Sequence, residues 1–309
     1  MSILLAGALA GCVSGTAPTP APGQTPAGPG ASPTPAATPA PTPTSTPTPV
    51  EVGPISHPTG ATDIVLQMEE GGGFVPFGWL VTQSPDFTLY GDGTVIYKQT
   101  DNRPDPWALP MLPWLVGHLD EEGIQALLDY ALNEGRLATA RERYEQMNIA
   151  DAGTTFFRFD AGGVQKTVEV YALGLSEEPG PEQADRQAFA RLAETLRSFE
   201  QRGAAGELGE VTPYDPPEYR ATLLEAFGEP VGQEPMAWPF VDIEFDEFGQ
   251  ADEFGARQRL ISREEAALLT DVPSGGHQGV WVEAPDGTVW QIALRPLLPD
   301  ELSLGIRDG

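Results

Sequence analysis

Phe87-Thr-Leu-Tyr-Gly-Asp-Gly-Thr-Val-Ile-Tyr97 has the pattern of a β-hairpin, with apolar residues alternating on both sides of a Gly-Asp-Gly turn. Glycine reaches the positive φ angles that tight hairpin turns need, and the alternation gives each strand one face to bury. The stretch therefore predicts two antiparallel strands. A further strand is predicted before them at 62–68, ended by Gly71-Gly-Gly73.

Two more hairpins are predicted further along the chain. Residues 154–173 hold one of them, around the turn at 160–163, and residues 280–294 hold the other, around Pro285-Asp-Gly287. A single strand is also predicted at 240–245, where apolar and acidic residues partly alternate. The recurrence of hairpins favours antiparallel sheets.

Helical spacing of apolar residues marks three segments. The first spans 120–135, the second runs from about 181 to 201, and the third covers 262–269 behind the capping-box pattern Ser-x-x-Glu. Residues 219–224 fit a strand or a helix. The residues predicted to be buried on the helix faces are Ile124, Leu127, Leu128, Leu192, Leu196 and Leu268.

The order of these elements predicts an α+β fold, with antiparallel sheets and helices packed on one face. A helix followed by a hairpin occurs twice, after 119–122 and after 260–265. This repetition indicates two related halves, 62–203 and 204–309, although convergence on a common motif would give the same pattern. About 250 residues are enough for a proper core in either arrangement.

The composition is strongly acidic. The chain has 45 acidic and 17 basic residues, a formal net charge of −28, and nearly all of that charge follows residue 62. Such a surface repels nucleic acid and anionic lipid, so we expect no nucleic-acid partner. It would attract cations, basic peptides or a cationic wall component. Solubility, or adaptation to salt, explains the same charge.

The N-terminus carries a short apolar run that ends in Leu9-Ala-Gly-Cys12, followed by an uncharged Pro/Thr-rich tract. This arrangement resembles a bacterial lipoprotein signal, in which the cysteine is lipidated and the chain is cut before it. Residues 1–12 are thus predicted to be the signal with its acylation site, and 13–61 a disordered linker. The resemblance implies a membrane partner through a lipid on Cys12; a chance match is the alternative.

Four segments of the chain resemble uncharacterised secreted lipoproteins of high-GC bacteria. They are the hairpin at 87–97, residues 119–128, Val170-Tyr-Ala-Leu173 and the segment Arg295-Pro-Leu-Leu-Pro-Asp-Glu301. The resemblance covers most of the region after the linker. It implies export and an α+β fold, and it brings no catalytic residues.

Tryptophans are the first candidates for a ligand site. Trp107 and Trp114 lie in a Pro-rich segment, 101–118, that is predicted to be a loop. Their rings would give a platform for a sugar or a peptide, or would simply pack the loop against the core. Trp281 and Trp290 flank the last hairpin and would pair across its strands.

The acidic run Asp242-x-Glu244-x-Asp246 is the candidate metal site. On a strand this spacing directs all three carboxylates to one face. In a loop they would occupy the first positions of a Ca²⁺-binding motif, but Glu247 stands where that motif needs glycine for its sharp turn. A solvated strand face is therefore favoured over a dedicated Ca²⁺ site.

Other chemical motifs are sparse. The three histidines, at 57, 118 and 277, are too dispersed for a metal centre. Ser274-Gly-Gly-His277 brings a nucleophile type and a base type together, but without a nucleophile-elbow motif a polar loop is the favoured explanation. No cofactor is predicted, and the single cysteine excludes an internal disulfide.

The sequence predicts a lipid-anchored protein on the extracytoplasmic face of the cell membrane. A non-catalytic binding or interaction role is expected, with an envelope glycan, peptide or protein as the partner. One alternative is an envelope hydrolase that acts on glycan or peptide through paired carboxylates. Another is an inhibitor of a secreted enzyme, which rests on fold analogy alone.

Overall fold

The computed structural model describes residues 53–75, 77–100, 114–146, 148–175, 180–225, 234–270 and 279–302. The chain divides into two units, Met1–Glu51 and Val52–Gly309, and all the described residues belong to the second. Cys12, Trp107 and the Ser274–His277 motif lie outside the described residues, so the predictions for them stay predictions.

An eight-stranded sheet is built from the first part of the unit. Its strand order is β5-β7-β6-β1-β2-β3-β4-β8, and every neighbouring pair is antiparallel except β5–β7. The strands are β1 (Ile64–Gly72), β2 (Phe87–Tyr90), β3 (Thr94–Lys98), β4 (Trp114–His118), β5 (Arg143–Tyr144), β6 (Gly153–Ala161), β7 (Val164–Tyr171) and β8 (Thr212–Pro213).

A five-stranded sheet follows, in the order β10-β12-β13-β9-β11, with β10–β12 as its parallel pair. Residues 219–224, which fit a strand or a helix by pattern, form most of β9. The strands are β9 (Glu218–Glu225), β10 (Met236–Ala237), β11 (Arg257–Ser262), β12 (Val280–Glu283) and β13 (Val289–Pro296). The predominance of antiparallel pairs confirms the predicted α+β class.

Helices connect the strands of both sheets. A π-helical turn at Tyr130–Glu134 and a 3₁₀ turn at Leu137–Thr139 extend the first long helix, and a second 3₁₀ turn lies at Phe245–Phe248. The α-helices are α1 (Phe77–Thr82), α2 (Glu121–Asp129), α3 (Gln183–Arg197), α4 (Glu200–Ala204), α5 (Arg263–Thr270) and α6 (Pro299–Leu302). Within the described residues, none of these helices has the length and apolar character needed to cross a membrane.

Helices α2 and α3 cover one face of the first sheet. Asp120 caps α2 by accepting a hydrogen bond from the Gly123 backbone at 2.8 Å. Phe189 of α3 packs edge-on against Tyr144, with ring centroids 4.9 Å apart. The predicted burial is confirmed for five residues on these two helices: Ile124, Leu127, Leu128, Leu192 and Leu196.

Helix α5 packs against the second sheet, but its buried face was predicted one residue out of place. Leu268 is 47% exposed, whereas Leu269 is buried with Ala266. Residues three apart on a helix lie on one face, and a neighbour is turned away by about 100°. The capping box itself is confirmed, because the Ser262 backbone donates to Glu265 at 2.6 Å and the Glu265 backbone donates to Ser262 Oγ at 3.2 Å.

The strand predicted at 240–245 was wrong. The chain there is irregular and enters the 3₁₀ turn at Phe245. The apolar residues are buried around Trp238, whose indole N–H donates to the Ile243 carbonyl at 2.8 Å. Its ring contacts Phe240 and Phe248 edge-on, at 5.4 and 5.7 Å between centroids. Aromatic packing around one indole therefore produced the apolar spacing, without any strand.

Two tryptophan predictions also change. Trp114 begins strand β4 instead of lying in a loop, since Lys98 and Trp114 are register partners. Trp281 and Trp290 pair with Gln291 and Val282, respectively, and not with each other. Because successive residues of a strand point to opposite faces, these two tryptophans lie on opposite faces of the second sheet.

Leu128→Ala should lower the free energy of unfolding by about 2–5 kcal/mol, because it leaves a cavity under α2. Leu268→Ala is the matched control; a substitution at its exposed position should change that free energy by less than about 0.5 kcal/mol. Urea denaturation of the parent protein and both variants measures the difference. Equal losses in the two variants would contradict the packing of α2 on the first sheet.

Candidate ligand site between the two sheets

Ionisable and polar groups gather where the second sheet and the segment after β13 meet the first sheet. Strand alternation places the groups on β1, β2, β9 and β13, because the cores of the two sheets occupy the other faces, and the remaining groups come from the connection before β2 and from α6. We call this region the junction site. It consists of Glu69, Gln83, Ser84, Tyr90, Arg220, Thr222, Arg295, Asp300 and Glu301.

The second sheet contributes an arginine pair. Arg220 on β9 and Arg295 on β13 are direct register partners. Ala221 and Ile292 belong to the apolar core of this sheet, so the arginines, which alternate with the core positions, lie on its other face. Like charges placed directly opposite each other destabilise a sheet, and this arrangement therefore needs compensating groups.

Glu301 provides that compensation for Arg295. The guanidinium donates to Glu301 Oε1 at 2.8 Å, and the Leu298 backbone donates to Glu301 Oε2 at 2.9 Å. Arg295 also donates through Nε to the Gln83 carbonyl, in the connection before β2. The Arg295 and Glu301 side chains are only 11% and 22% exposed. A shielded, charge-assisted pair of this kind fixes the segment after β13 in place.

Asp300 links the same segment to the first sheet. It accepts a hydrogen bond from the buried Tyr90 hydroxyl at 2.6 Å. Burial raises the pKa of Tyr90, and the neighbouring Asp300 charge raises it further. Burial also raises the pKa of Asp300 above its ordinary value, against the opposing effect of the Tyr90 hydrogen bond.

A second carboxyl with a raised pKa comes from β1. Burial raises the pKa of Glu69, while the charges of Arg295 and Lys98 oppose the shift. Lys98 is itself occupied, because its ammonium pairs with Asp86 at 2.5 Å. Two carboxyls of the site are thus biased toward their protonated forms, which is common at functional sites and also occurs in structural networks.

Several buried polar atoms of the junction site have no hydrogen-bond partner: Gln83 Nε2, Ser84 Oγ and Thr222 Oγ1. Ser84 and Thr222 are completely shielded from solvent. Gln67 on β1 and Thr88 on β2 show the usual solution for buried polar side chains, since the Gln67 amide donates to the Thr88 hydroxyl at 3.1 Å. An unsatisfied buried group costs about 1–3 kcal/mol, so such groups call for an explanation.

Of the two roles expected for Trp114, a ligand platform or packing against the core, the structure shows packing. Its ring is buried among Ile64, Tyr90, Ile96 and Leu298, and its indole N–H donates to the Pro85 carbonyl at 3.3 Å. The ring therefore fills the space between the first sheet and the segment after β13. Its predicted partner in the platform, Trp107, lies outside the described residues.

The acidic run does not gather into a site either. Asp242, Glu244 and Asp246 are all exposed, and the described residues contain no cluster of three or more His, Cys, Asp or Glu side chains suited to a metal ion. Glu247 instead accepts a hydrogen bond from the Glu244 backbone at 2.9 Å and pairs with Arg259. These two bonds lower the pKa of Glu247.

Sequence reasoning missed the junction site, although one signal for it was present. The segment Arg295–Glu301 places an arginine, two prolines and two acids directly after an apolar strand. What this segment contacts depends on its fold-back onto the first sheet. Chemically, the assembled site offers guanidinium and hydroxyl donors beside carboxyls that can hold protons.

Comparisons with known proteins give no family for this chain. No family model matches it, and no curated protein or solved structure matches it significantly.

Glu69→Gln and Asp300→Asn should each raise the stability of the protein at neutral pH. A carboxyl whose pKa is raised by folding contributes stability below its unfolded pKa and loses that contribution as pH rises through its folded pKa. Each amide imitates the protonated form, and the amide oxygen introduced at position 300 would still accept the Tyr90 hydrogen bond. As the pH falls through about 4, the ordinary pKa of unfolded carboxyls, the gain should shrink, because both carboxyls then become protonated in the unfolded chain as well.

Glu70→Gln is the matched control for this pH series. Glu70 is the neighbour of Glu69 on β1 and pairs with Arg197 at the surface. Its replacement removes that ion pair and should give no gain at neutral pH. Unfolding midpoints between about pH 3.5 and 8, a range that brackets the ordinary carboxyl pKa, measure all three variants. A loss of stability at neutral pH in both junction variants would contradict the proposed burial of these charges.

Proposed function

We propose that the protein is a lipid-anchored, extracytoplasmic binding protein whose ligand occupies the junction site. The observation that carries the binding role is the set of shielded polar groups without partners, Ser84, Thr222 and the Gln83 amide. A ligand that supplied their hydrogen bonds would remove the cost of burying them. The role is non-catalytic, and an envelope peptide or glycan component is the ligand to expect.

The anchoring part of the proposal rests on the N-terminal sequence. Leu9-Ala-Gly-Cys12 stands at the depth of a lipoprotein cleavage site, and an uncharged Pro/Thr-rich tract follows from Ala17 to Pro49. Proline-rich segments extend by about 3.1 Å per residue, so the tract would span about 100 Å. That length is enough to hold the folded unit clear of a lipid surface.

The first described residues of the folded unit are hydrogen-bonded to its helix α2 and to the turn between β6 and β7. The Ile55 backbone donates to Gln125 Oε1 at 2.7 Å, and the Gln125 side chain donates to the Ile55 carbonyl at 2.9 Å. The Gly162 backbone donates to the Ser56 carbonyl at 2.8 Å, in the turn between β6 and β7. Residues directly after the tract are therefore held on two elements, which supports a fixed point of attachment.

Cys12→Ser should move the protein from the membrane fraction to the soluble extracytoplasmic fraction, because serine cannot receive the thioether-linked lipid. Detergent phase partitioning and labelling with a radioactive fatty acid measure the change. Ser14→Ala is the matched control, two residues away, and should stay in the detergent phase. Retention of the Cys12→Ser protein in that phase would rule out lipid attachment at this residue.

An envelope hydrolase is the second candidate, and one observation favours it. Glu69 and Asp300 both have raised pKa values, and the charge of Glu301 contributes to both shifts. A carboxyl kept protonated by burial is what a glycosidase uses as its general acid. The two carboxyls come from different elements, Glu69 from β1 and Asp300 from α6.

Hydrolysis can be tested directly with purified peptidoglycan as the probe. An enzyme would release reducing sugars or free amino groups, and Glu69→Gln or Asp300→Asn would lower the rate by about two orders of magnitude or more. The Glu70→Gln control would keep the parent rate. If the parent protein releases neither product, the binding role is favoured over the hydrolase.

A further inference from the structure

Arg220 stands out among the basic residues of the described part of the chain. The guanidinium groups of Arg158, Arg191 and Arg220 have neither a hydrogen bond nor an ion pair there, and Arg220 is the one of the three that is not exposed. This occurs in a protein with 45 acidic residues. A half-buried guanidinium without an acceptor is costly, since its charge is partly removed from water.

The immediate neighbour of Arg220 increases that cost. Arg295 lies directly opposite on β13 and carries the same charge. Burial lowers the pKa of Arg220, the Arg295 charge lowers it further, and the more distant Glu301 opposes the shift. Glu301 is engaged with Arg295 and the Leu298 backbone, so it does not serve Arg220 as a hydrogen-bond acceptor.

Other unsatisfied groups lie on the same side of the second sheet. Thr222 follows Arg220 by two residues on β9, hence on the same face, and its hydroxyl is buried without a partner. Arg295 donates to the Gln83 backbone carbonyl, which places the Gln83–Ser84 connection beside the arginine pair. The Gln83 amide nitrogen and the Ser84 hydroxyl are unpartnered as well. An oxyanion at this point would accept hydrogen bonds from a guanidinium, an amide and hydroxyls.

We propose that Arg220, with Thr222 and the Gln83–Ser84 connection, forms a subsite for a carboxylate ligand. The inference rests on the binding role proposed above and names the chemical class that the junction site recognises. A planar guanidinium matches a carboxylate in a two-bond, fork-like geometry. A doubly charged phosphate would be repelled more strongly by the Glu301 carboxylate than a singly charged carboxylate.

A carboxylate of this kind has two sources at the cell envelope, a small organic acid or the C-terminus of a peptide. Three probes separate them: acetate, an N-acetyl dipeptide with a free C-terminus, and the same dipeptide with an amidated C-terminus. Each is titrated into the full-length protein in detergent, against sodium chloride of equal ionic strength. The unfolding midpoint and the heat of binding are measured.

We expect acetate and the free dipeptide to raise the unfolding midpoint in a saturable way, because both bind only the folded state. The amidated dipeptide and chloride should not. Tighter binding of the dipeptide than of acetate identifies a peptide C-terminus as the ligand, and equal binding identifies a small acid. No response to either carboxylate would overturn the proposal.

Arg220→Gln is the decisive variant. It should weaken carboxylate binding about tenfold or more, since a charge-assisted hydrogen bond is lost. Without ligand it should leave the unfolding midpoint unchanged or raise it, because it removes the repulsion with Arg295. Arg220→Lys keeps the positive charge but cannot form the two parallel hydrogen bonds of a guanidinium, so this variant should bind the carboxylate probes with intermediate affinity.

Arg259→Gln is the matched control on the same sheet. Arg259 is aligned with Ala221 on the core-facing side of β11 and pairs with Glu247. Its replacement should lower the midpoint without ligand and leave the carboxylate response intact. Undiminished carboxylate binding by Arg220→Gln would overturn the subsite.

The tests of the lipid anchor and of the carboxylate subsite are independent of each other. Titrations in detergent do not depend on where the protein is attached, so a negative result with Cys12→Ser leaves the subsite standing. Binding of the amidated dipeptide with no response to acetate would refute the carboxylate class and still support a binding role.

Discussion

Glu301 accepts hydrogen bonds from the Arg295 guanidinium at 2.8 Å and from the Leu298 backbone at 2.9 Å, and this double contact holds the last described segment in place. Leu298 can then pack against Tyr90 and Trp114 on the face of the first sheet that α2 and α3 leave free. The same segment presents Asp300 to the Tyr90 hydroxyl. The Tyr214 hydroxyl also donates to the Leu297 carbonyl at 2.8 Å, so the small apolar cluster around Trp114 and the junction site share a segment that is held at several points.

The electrostatics of the junction site differ from those of the rest of the surface. With a net charge of −28, most acidic side chains are solvated, and their ion pairs, such as that of Arg143 with Glu169, contribute little to stability. At the junction, burial prevents solvent from screening the charges. Glu69 and Asp300 therefore have raised pKa values, and the pKa of Arg220 is lowered. Burial of charged groups in this way lowers the stability of the unliganded protein.

Much of the fold could be predicted because each element follows a local repeat. The hairpin at 87–97 and the helix opened by Asp120 were identified from alternation and from helical spacing. The errors arose where side-chain packing, and not the local repeat, determined the structure. Phe240 and Phe248 occupy apolar positions because both rings contact the Trp238 indole, and they do not mark a strand. Trp114 belongs to a strand because β4 pairs with β3. Leu268 is exposed and Leu269 is buried because neighbouring residues of helix α5 point in directions about 100° apart, and the sequence does not show which of the two faces the sheet.

The sequence by itself determined the antiparallel hairpins, the helix positions, the acidic character and the N-terminal motif at Cys12, because each depends on residues that are neighbours in the chain. The tertiary structure alone decided which carboxyls are buried and which arginines meet. Arg220 faces Arg295 through the register of β9 and β13, and Ser84 is fully shielded only in the folded chain. Burial and long-range register set the cost of a charge, and neither can be read from local spacing.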